Sequence, residues 1–297
     1  MDVLVAGDAN PDLILRGDVV PRFGQAEQLL TGADLVLGGS SAITACGLAR
    51  LGLATTLLAV VGDDVFGTVT RQSLAERGVG LESPPSTGVP TGLSVHLSTG
   101  DDRAILTLPG TIPALRPEDI TDDLLAATRH LHVGSLYLQP ALVTGLAGVF
   151  QRARALGVGT SLDTNWDPSG QWKSLDEILA YTDVFLPNAA ELRAITGEGG
   201  AAALVARGTT VVMKDGARGA RAWWPGGECV LPGPRVQVVD TAGAGDSFNA
   251  GFLAGRLAGF AIEEAVNWAV TAGALSTRAA GGTAAQATRE EIILSAR

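Results

Sequence analysis

Residues 240–252 place glycines and a carboxylate at the junction between a predicted strand and a predicted helix. The β-branched run 236–239 predicts the strand, and the Ala/Gly/Leu-rich run that follows predicts the helix. Gly243 and Gly245 allow a sharp turn and close approach of a ligand to the backbone, and the free N–H groups of a first helical turn favour an anion. Asp246 lies in that turn. A phosphoryl group on the amides and a hydroxyl on the carboxylate would explain the pattern, although an Asp here can also simply cap a helix.

Short apolar runs that predict buried strands alternate along the chain with segments of helical spacing. The predicted strands are 2–7, 55–61, 129–133, 157–163, 183–186 and 209–214, and the predicted helices are 40–51, 66–77, 141–155 and 189–196. This alternation predicts an α/β fold of three layers, with a doubly wound, mostly parallel sheet between helices. Ligands bind beyond the carboxyl ends of such strands, so we expect functional residues just after them.

One part of the chain departs from this alternation. Residues 13–37 fit neither pattern, and the alternating runs 91–97 and 103–108, joined by 98–102, predict a hairpin. We expect the segments at about 13–37 and 88–112 to form a small β-sheet, inserted into a single domain that spans residues 1–297.

Composition excludes several classes of function. The chain has 297 residues, 46% of them hydrophobic, and a net charge of −10, which argues against a nucleic-acid or acidic-membrane partner. Cys46 and Cys229 give neither a disulfide framework nor a metal spacing, and His96, His130 and His132 show no metal-ligand spacing either. Neither a signal peptide nor a run of 18 apolar residues is visible. We expect a soluble cytoplasmic protein with reduced thiols and histidines that serve packing.

The run from Asp240 to Asp246 matches the signature D-T-x-G-A-G-D, and through it the chain resembles the ribokinase-like carbohydrate kinases, the PfkB family. The resemblance implies ATP-dependent, Mg²⁺-requiring phosphorylation of a hydroxyl of a small carbohydrate. It also implies that Asp246 is the catalytic base and contacts the substrate, and that the amides of Gly243, Ala244 and Gly245 form an anion hole. Under the same resemblance the small sheet is a lid that closes over the sugar.

Three further stretches resemble substrate-binding parts of the family. Gly7 to Asp12 fits the pattern G-x-x-x-x-D, which implies that Asp12 binds sugar hydroxyls. The pair Gly38 and Gly39 resembles the first family signature. Asn165 lies in a segment like the family's D-x-N, and Trp166 after it could stack on a ring face or pack structurally. Many sugar-specific members carry an Arg after that Asn, and its absence disfavours a phosphorylated or carboxylated sugar.

The stretch that resembles the first family signature differs from the family pattern at one position. Ile43 stands where the family usually has Asn, and an aliphatic side chain cannot bind a sugar hydroxyl. The acceptor is then less polar or differently oriented, or its contact comes from Ser40 or Ser41. Either serine could also cap the helix that begins here.

The nucleotide side shows the family pattern N-x-x-E in Asn188 and Glu191. These residues could hold Mg²⁺ through water, with Asn188 also near the nucleotide, or form a capping box. Lys214, Gly216 and Gly219 resemble the nucleotide loop, and Gly245 is expected to contact the nucleotide as well. The resemblance also allows a monovalent cation such as K⁺ at the Asp240 loop.

Two other functions remain open from sequence. A nucleoside kinase would use the same chemistry, and the Ile43 and Trp166 departures favour it. A catalytically silent sugar- or nucleotide-binding module is of a different class, and the intact Asp246 and Glu191 argue against it. A homodimer through the lid is also possible.

Overall fold

The computed structural model describes residues 1–99 and 102–295 and contains one large and one small β-sheet. The strands, numbered in chain order, are β1 Val3–Ala6, β2 Asn10–Gly17, β3 Leu30–Gly38, β4 Thr55–Leu58, β5 Gly80–Glu82, β6 Leu93–Thr99, β7 Asp102–Leu108, β8 His130–Val133, β9 Gly159–Leu162, β10 Val184–Phe185, β11 Thr210–Lys214, β12 Ala220–Trp224 and β13 Gly227–Leu231. The large sheet has the order β13-β12-β11-β10-β9-β8-β1-β4-β5, parallel except for the pairs that β12 makes with β11 and β13.

Helices cover both faces of the large sheet. They are α1 Ser40–Arg50, α2 Val65–Glu76, α3 Asp122–Ala126, α4 Pro140–Val143, α5 Leu146–Ala155, α6 Leu175–Leu179, α7 Ala189–Thr196, α8 Ala202–Val205, α9 Ala244–Leu257, α10 Ile262–Ser276 and α11 Arg289–Ser295. Successive residues of β1 serve opposite cores: Val3 and Val5 pack with one cluster, and Leu4 and Ala6 with the other. This division confirms the predicted three-layer fold, because a strand buried on both faces needs apolar residues at every position.

The small sheet has the order β3-β2-β6-β7. β2 pairs antiparallel with β3 and parallel with β6, and β6 pairs antiparallel with β7, as the alternating runs predict for a hairpin. Residues 100 and 101 of the predicted turn lie outside the described residues. β2 begins at Asn10, three residues earlier than the predicted segment, because Asn10 already pairs with Gly38.

Helix α1 lies against α9, and small residues allow a close approach. A Cβ built at Gly47 would come within 2.7 Å of the Ala250 Cβ. On α9 itself, a Cβ at Gly251 would lie 2.7 Å from the Trp268 carbonyl oxygen of α10. Glycine at these positions therefore sets how closely the helix bearing Asp246 packs against its two neighbours.

Two predicted elements are wrong in detail. The predicted strand 236–239 is not a strand. The N–H groups of Val239 and Asp240 instead both donate to the Thr277 carbonyl at the end of α10, at 2.8 and 3.1 Å. The predicted helix 141–155 is two helices, α4 and α5, separated at Thr144 and Gly145. Pro117 packs where a side chain at Gly145 would lie, at 2.5 Å.

The buried histidines confirm the packing prediction and add a polar detail. His130 and His132 each lie 2.8 Å from the single Ser161 hydroxyl, through Nε2 and Nδ1 respectively. Burial lowers the pKa of His130 to about 4 and that of His132 to about 3. Cys46 is buried, as expected, and burial raises its thiol pKa to about 12. Within the described residues, no helix is long and apolar enough to cross a membrane.

We predict that Gly47→Val destabilises the protein, because a branched side chain would be forced against Ala250 on the facing helix. Overpacking of this kind costs about 1–3 kcal/mol. Gly148→Val is the matched control, since Gly148 also lies inside a helix but has nothing within 4 Å of an added Cβ. Urea unfolding of both variants checks this, and equal loss of stability in the two would contradict it.

We also predict that His130 makes the fold less stable in acid. Its pKa is lower in the folded than in the unfolded chain, so the unfolded state binds more protons and stability falls as the pH drops from about 6.5 toward about 4. His130→Gln keeps a polar atom near Ser161 but removes the titration, and should flatten the profile by up to about 1.4 kcal/mol per pH unit. Urea unfolding at pH 7, 6 and 5 measures this, and parallel profiles for parent and variant would refute it.

Candidate active site

Asp246 lies in the first turn of α9, where loops that follow several strands of the large sheet come together. Its side chain is 8% exposed, and its Oδ1 accepts a hydrogen bond from the Ser40 hydroxyl. Burial raises the pKa of Asp246 to about 7, and the nearby carboxylates of Asp163 and Asp8 act in the same direction. The Ser40 hydrogen bond and the Lys214 ammonium oppose them. A carboxylate with this pKa can exchange a proton near neutral pH.

A buried ion pair lies beside Asp246 at the ends of β9 and β11. The Lys214 Nζ is 2.5 Å from Asp163 Oδ2, which also accepts a hydrogen bond from Asn249 Nδ2 at 2.6 Å. Lys214 faces the start of α9, since a Cβ built at Gly245 would lie 3.7 Å from the Nζ. The cation is therefore available to an anion bound at the helix terminus. The sequence analysis included Asp163 only as the acid of the D-x-N segment and gave it no role, although its place directly after a strand was a usable signal.

The predicted anion-hole residues begin α9. Gly243 is the residue before the helix and has a left-handed backbone, with φ of 70°. The Ala244 N–H makes a long hydrogen bond of 3.3 Å to the Thr241 carbonyl, so an anion would share this donor. The anion hole stays a prediction.

Ser40 and Ser41 begin α1, but neither side chain caps it. The carboxylate of Asp8, in the loop after β1, accepts hydrogen bonds from the Ser40 and Ser41 N–H groups at 3.1 and 2.9 Å. The capping prediction for the serines is therefore wrong, and Asp8 was missed because a capping residue 32 positions away leaves no local pattern. Ser40 is left free to contact Asp246. Ser41 is fully buried, and its hydroxyl lies against Gly7 and Gly134 without a hydrogen-bond partner among the described residues.

Asn165 joins the same group. Its Nδ2 lies 3.3 Å from the Ser40 hydroxyl, and its Oδ1 accepts a hydrogen bond from the Ser135 N–H at 3.1 Å. Trp166 is 54% exposed and makes an edge-to-face contact with Trp172, with ring centroids 5.4 Å apart. Trp166 is thus packed against Trp172, and much of its ring is exposed to solvent.

Asp12 lies on β2 of the small sheet. Its carboxylate accepts a hydrogen bond from Asn10 Nδ2 at 3.0 Å and lies 3.3 Å from the His96 Nε2. Asp12 also explains why residue 38 is a glycine, because a Cβ at Gly38 would come within 2.1 Å of Asp12 Oδ1. Gly39 adopts a positive φ of 85° against the Asp8 carbonyl oxygen, 2.9 Å from an added Cβ.

Ile43 is buried in α1, with its side chain directed at the loops around Gly243 and Gly282. A Cβ at Gly282 would lie 2.5 Å from the Ile43 Cδ1, and one at Gly243 would lie 3.0 Å from its Cγ2. The structure thus gives Ile43 a packing contact behind the anion-hole turn. Whether it also borders the acceptor stays a prediction.

Asn188 and Glu191 form the capping box that the sequence allowed. Asn188 Oδ1 accepts from the Glu191 N–H at 2.9 Å, and Glu191 Oε2 accepts from the Asn188 N–H at 2.8 Å. Burial and the Asp163 carboxylate raise the pKa of Glu191. Asn188 also bridges to Lys214 through the backbone. Their oxygens suit a hard cation such as Mg²⁺, and in the described chain no cluster of three or more His, Cys, Asp or Glu could hold a metal ion by itself.

A cavity of about 560 Å³ opens beside this group, and its lining includes Lys214, Gly216, Gly219 and Gly245. The rest of its wall is largely apolar and includes Val236, Val238, Phe248, Val270 and Ala274. This volume and lining suit a planar ring system at one end and an anion near Lys214 at the other. The incorrectly predicted strand 236–239 therefore forms part of the wall of this cavity.

Asp240 links the α9 turn to the segment after α10. Its Oδ1 accepts from the Ala242 N–H and its Oδ2 from the Gly281 N–H, both at 2.9 Å. The loop that could hold a monovalent cation is thus ordered by this carboxylate, and the cation itself stays a prediction.

The chain is similar to known kinases over nearly its whole length. The model of the pfkB family carbohydrate kinases matches residues 2–289. An ATP-dependent ribose-1-phosphate kinase of Halopiger xanaduensis is 33% identical over 288 residues, which cover 95% of this chain and 94% of the relative. A fructokinase of Klebsiella pneumoniae is 34% identical over 284 residues, covering 86% and 90%.

The fold has close structural relatives as well. A ribokinase-like protein of Escherichia coli, solved with ATP and Mg²⁺, superimposes with a TM-score of 0.86 at 23% identity, over 99% of this chain and 98% of that one. The matches cover nearly the whole chain, and the relatives are kinases of sugar-like substrates. The chain therefore belongs to the pfkB family of carbohydrate kinases and is a phosphotransferase that acts on an alcohol group.

Proposed function

We propose that this kinase transfers the γ-phosphoryl group of ATP to a hydroxyl of a small, uncharged sugar, with Asp246 as the catalytic base. The observation that carries the proposal is the position of Asp246, buried in the first turn of α9 between the 560 Å³ cavity and the polar group of Ser40 and Asn165. A nucleotide in the cavity and an acceptor on the Ser40 side would meet at this carboxylate.

The oxygen of the acceptor hydroxyl bonds to the γ-phosphorus while the bond from that phosphorus to the ADP oxygen breaks, and Asp246 accepts the proton of the hydroxyl. The raised pKa makes the carboxylate a stronger base than an ordinary Asp. The proton can leave late in the reaction, because the transition state of phosphoryl transfer is loose. The negative charge that develops on the transferred group is stabilised by the amides at 243–245 and by Lys214 beside Gly245. The small sheet, as a lid over the acceptor, would keep water from competing as the phosphoryl acceptor.

Mg²⁺ would be held through water by Asn188 and Glu191, close to the phosphates. When bound, the ion neutralises phosphate charge and orients the γ-phosphoryl group. Glu191 is held in place by its capping contact with Asn188, so its carboxylate is preorganised whether or not the ion is present. A K⁺ ion at the Asp240 loop is a further part of the proposal that the resemblance supports.

The acceptor side argues for an uncharged substrate. Among the described side chains that contact Asp246, Asp12 or Asn165 there are carboxylates, amides, a serine and His96, but no Arg or Lys. A phosphate or carboxylate on the sugar would lack the bidentate partner that Arg normally supplies. Asp12 instead offers two oxygens to sugar hydroxyls.

Trp166 supports a second candidate, a nucleoside acceptor. Its exposed ring lies one residue from Asn165 and could stack on a base. An acceptor panel separates the two candidates, because only the sugar proposal expects turnover of a free sugar.

The lid offers a possible dimer interface. Leu35, Leu106 and Leu108 lie on one face of the small sheet and are each at least 43% exposed. Apolar side chains grouped on one small sheet are a common basis for association between copies. A homodimer through the lid is therefore part of the proposal.

We predict that Asp246→Asn abolishes most turnover while leaving the fold intact, since the amide cannot accept the proton. General-base catalysis contributes about 10²–10⁴-fold, and a loss of that size is expected. The test is ADP release from MgATP against sugars, sugar phosphates, sugar acids and nucleosides, with thermal unfolding as the control for folding. A variant within a few-fold of the parent on the best acceptor would rule out Asp246 as base, and turnover only of sugar phosphates would rule out the uncharged substrate.

We further predict a rising limb in the pH dependence of kcat/KM for the acceptor. Asp246 acts when deprotonated, and its pKa is about 7, so activity should climb about tenfold per pH unit below 7 and level off above it. Steady-state rates from pH 5.5 to 9 at saturating MgATP measure this limb. Activity that stays constant down to pH 5.5 would contradict the assignment.

A further inference from the structure

Ser40, which contacts Asp246, does not cap helix α1 with its side chain, although serine commonly does so at the start of a helix. Ser40 is the first residue of α1, but Asp8 already accepts its N–H and that of Ser41. The Ser40 hydroxyl instead donates to Asp246 Oδ1. One carboxylate oxygen is thereby engaged, and the other remains for an acceptor.

A second layer orients this hydroxyl. The Ser135 N–H donates to Asn165 Oδ1 at 3.1 Å, which fixes the amide so that its Nδ2 faces the Ser40 hydroxyl oxygen at 3.3 Å. Asn165 Oδ1 also lies 3.4 Å from the Ser40 hydroxyl, but the contact of that hydroxyl with Asp246 Oδ1 is much shorter. The hydroxyl proton is therefore directed to Asp246, and Asn165 Nδ2, which is only a donor, donates to the hydroxyl oxygen. The result is one directed chain of hydrogen bonds from the loop after β8 to the carboxylate.

Both outer members of this chain have left-handed backbone conformations, which asparagine tolerates but serine rarely adopts. Ser135 has φ of 51° and Asn165 has φ of 50°, the left-handed region that few residues other than glycine adopt. The Gln139 amide holds the Ser135 loop by donating to the carbonyls of Gly134 and Ser135, at 2.8 and 3.3 Å. Strain that is maintained in this way is typical of functional sites.

We propose that Ser135, Asn165 and Ser40 form a relay that positions the Asp246 carboxylate and stabilises its charged form. The three are positioning residues, and the proposal rests on the role of Asp246 as base. It gives Ser40 a function toward the base that does not require contact with the sugar.

Three other charged groups also affect the pKa of Asp246. Asp8 from the loop after β1 and Asp163 from the end of β9 disfavour its charged form, and Lys214 from β11 favours it. None of these is altered by removing the Ser40 hydroxyl. Loss of that single hydrogen bond should therefore raise the pKa of Asp246, by roughly one unit for a hydrogen bond to a charged group.

The primary experiment titrates Asp246 in the free protein, so it needs no acceptor. Protein labelled with ¹³Cγ-aspartate is followed by NMR from pH 5 to 9, and Asp246→Asn identifies the resonance. We expect Ser40→Ala to titrate higher than the parent by about one pH unit. Ser40→Thr keeps a hydroxyl and should restore the parent value.

Two further variants make the test specific. Ser41→Ala is the matched control, because the neighbouring hydroxyl is buried against Gly7 and Gly134 and has no hydrogen-bond partner among the described residues, Asp246 included. It should titrate like the parent. Asn165→Gly removes the amide but tolerates a positive φ, and should give an upward shift smaller than that of Ser40→Ala. A parent-like titration of folded Ser40→Ala would overturn the relay.

Kinetics separate this proposal from the assignment of the base. In the acid limb of kcat/KM, Ser40→Ala should move to higher pH while KM for MgATP stays unchanged. If Ser40→Ala changes only KM for the acceptor and the limb stays in place, Ser40 is a substrate contact and the relay is refuted. If Asp246→Asn retains parent activity, the role of Asp246 as base is itself refuted.

Discussion

The buried pair of Lys214 and Asp163 is the interaction on which the site depends. It joins β11 to β9, and the Asn249 amide on α9 completes the coordination of the same carboxylate oxygen. Two charges this deeply buried are stable only together, and removal of one partner of such a pair commonly costs about 3–5 kcal/mol. The pair therefore fixes the relative position of the strand that ends at the cavity and the helix that carries Asp246.

The charges of this pair also affect the pKa values of two neighbouring acids, Asp246 and Glu191. Burial acts to raise the pKa of Asp163, yet Lys214 and the hydrogen bonds from Asn249 and the Asn165 N–H hold it below its usual range. With that charge fixed, the pKa values of Asp246 and Glu191 are both raised, chiefly by burial and further by the Asp163 carboxylate. The carboxylate of Asp163, which stays charged, thus adds to the rise in the pKa of both neighbours, and for Asp246 the resulting pKa of about 7 is one at which proton transfer is useful.

Local patterns predicted the parts of the molecule that depend on local physics. Strand and helix alternation gave the three-layer fold, and N-x-x-E predicted a capping box at Asn188 and Glu191, because both depend on residues close in sequence. The run 236–239 was assigned to a strand from its β-branched residues, but extended backbone becomes a strand only beside a partner, and here the partner is the carbonyl of Thr277. Asp8 and Ser135 could not be predicted at all, since their contacts join residues about 30 positions apart.

The closeness of Gly38 to Asp12 has a consequence for how this family of sequences can vary. The Asp12 carboxylate fills the volume that any side chain at position 38 would need, since an added Cβ would lie 2.1 to 2.4 Å from its atoms. The two positions belong to different strands of the small sheet and are far apart along the chain, yet the glycine cannot be exchanged for a larger residue while the acid is kept. Divergent members should therefore show linked substitution, with a larger residue at the glycine only where the acid has been lost.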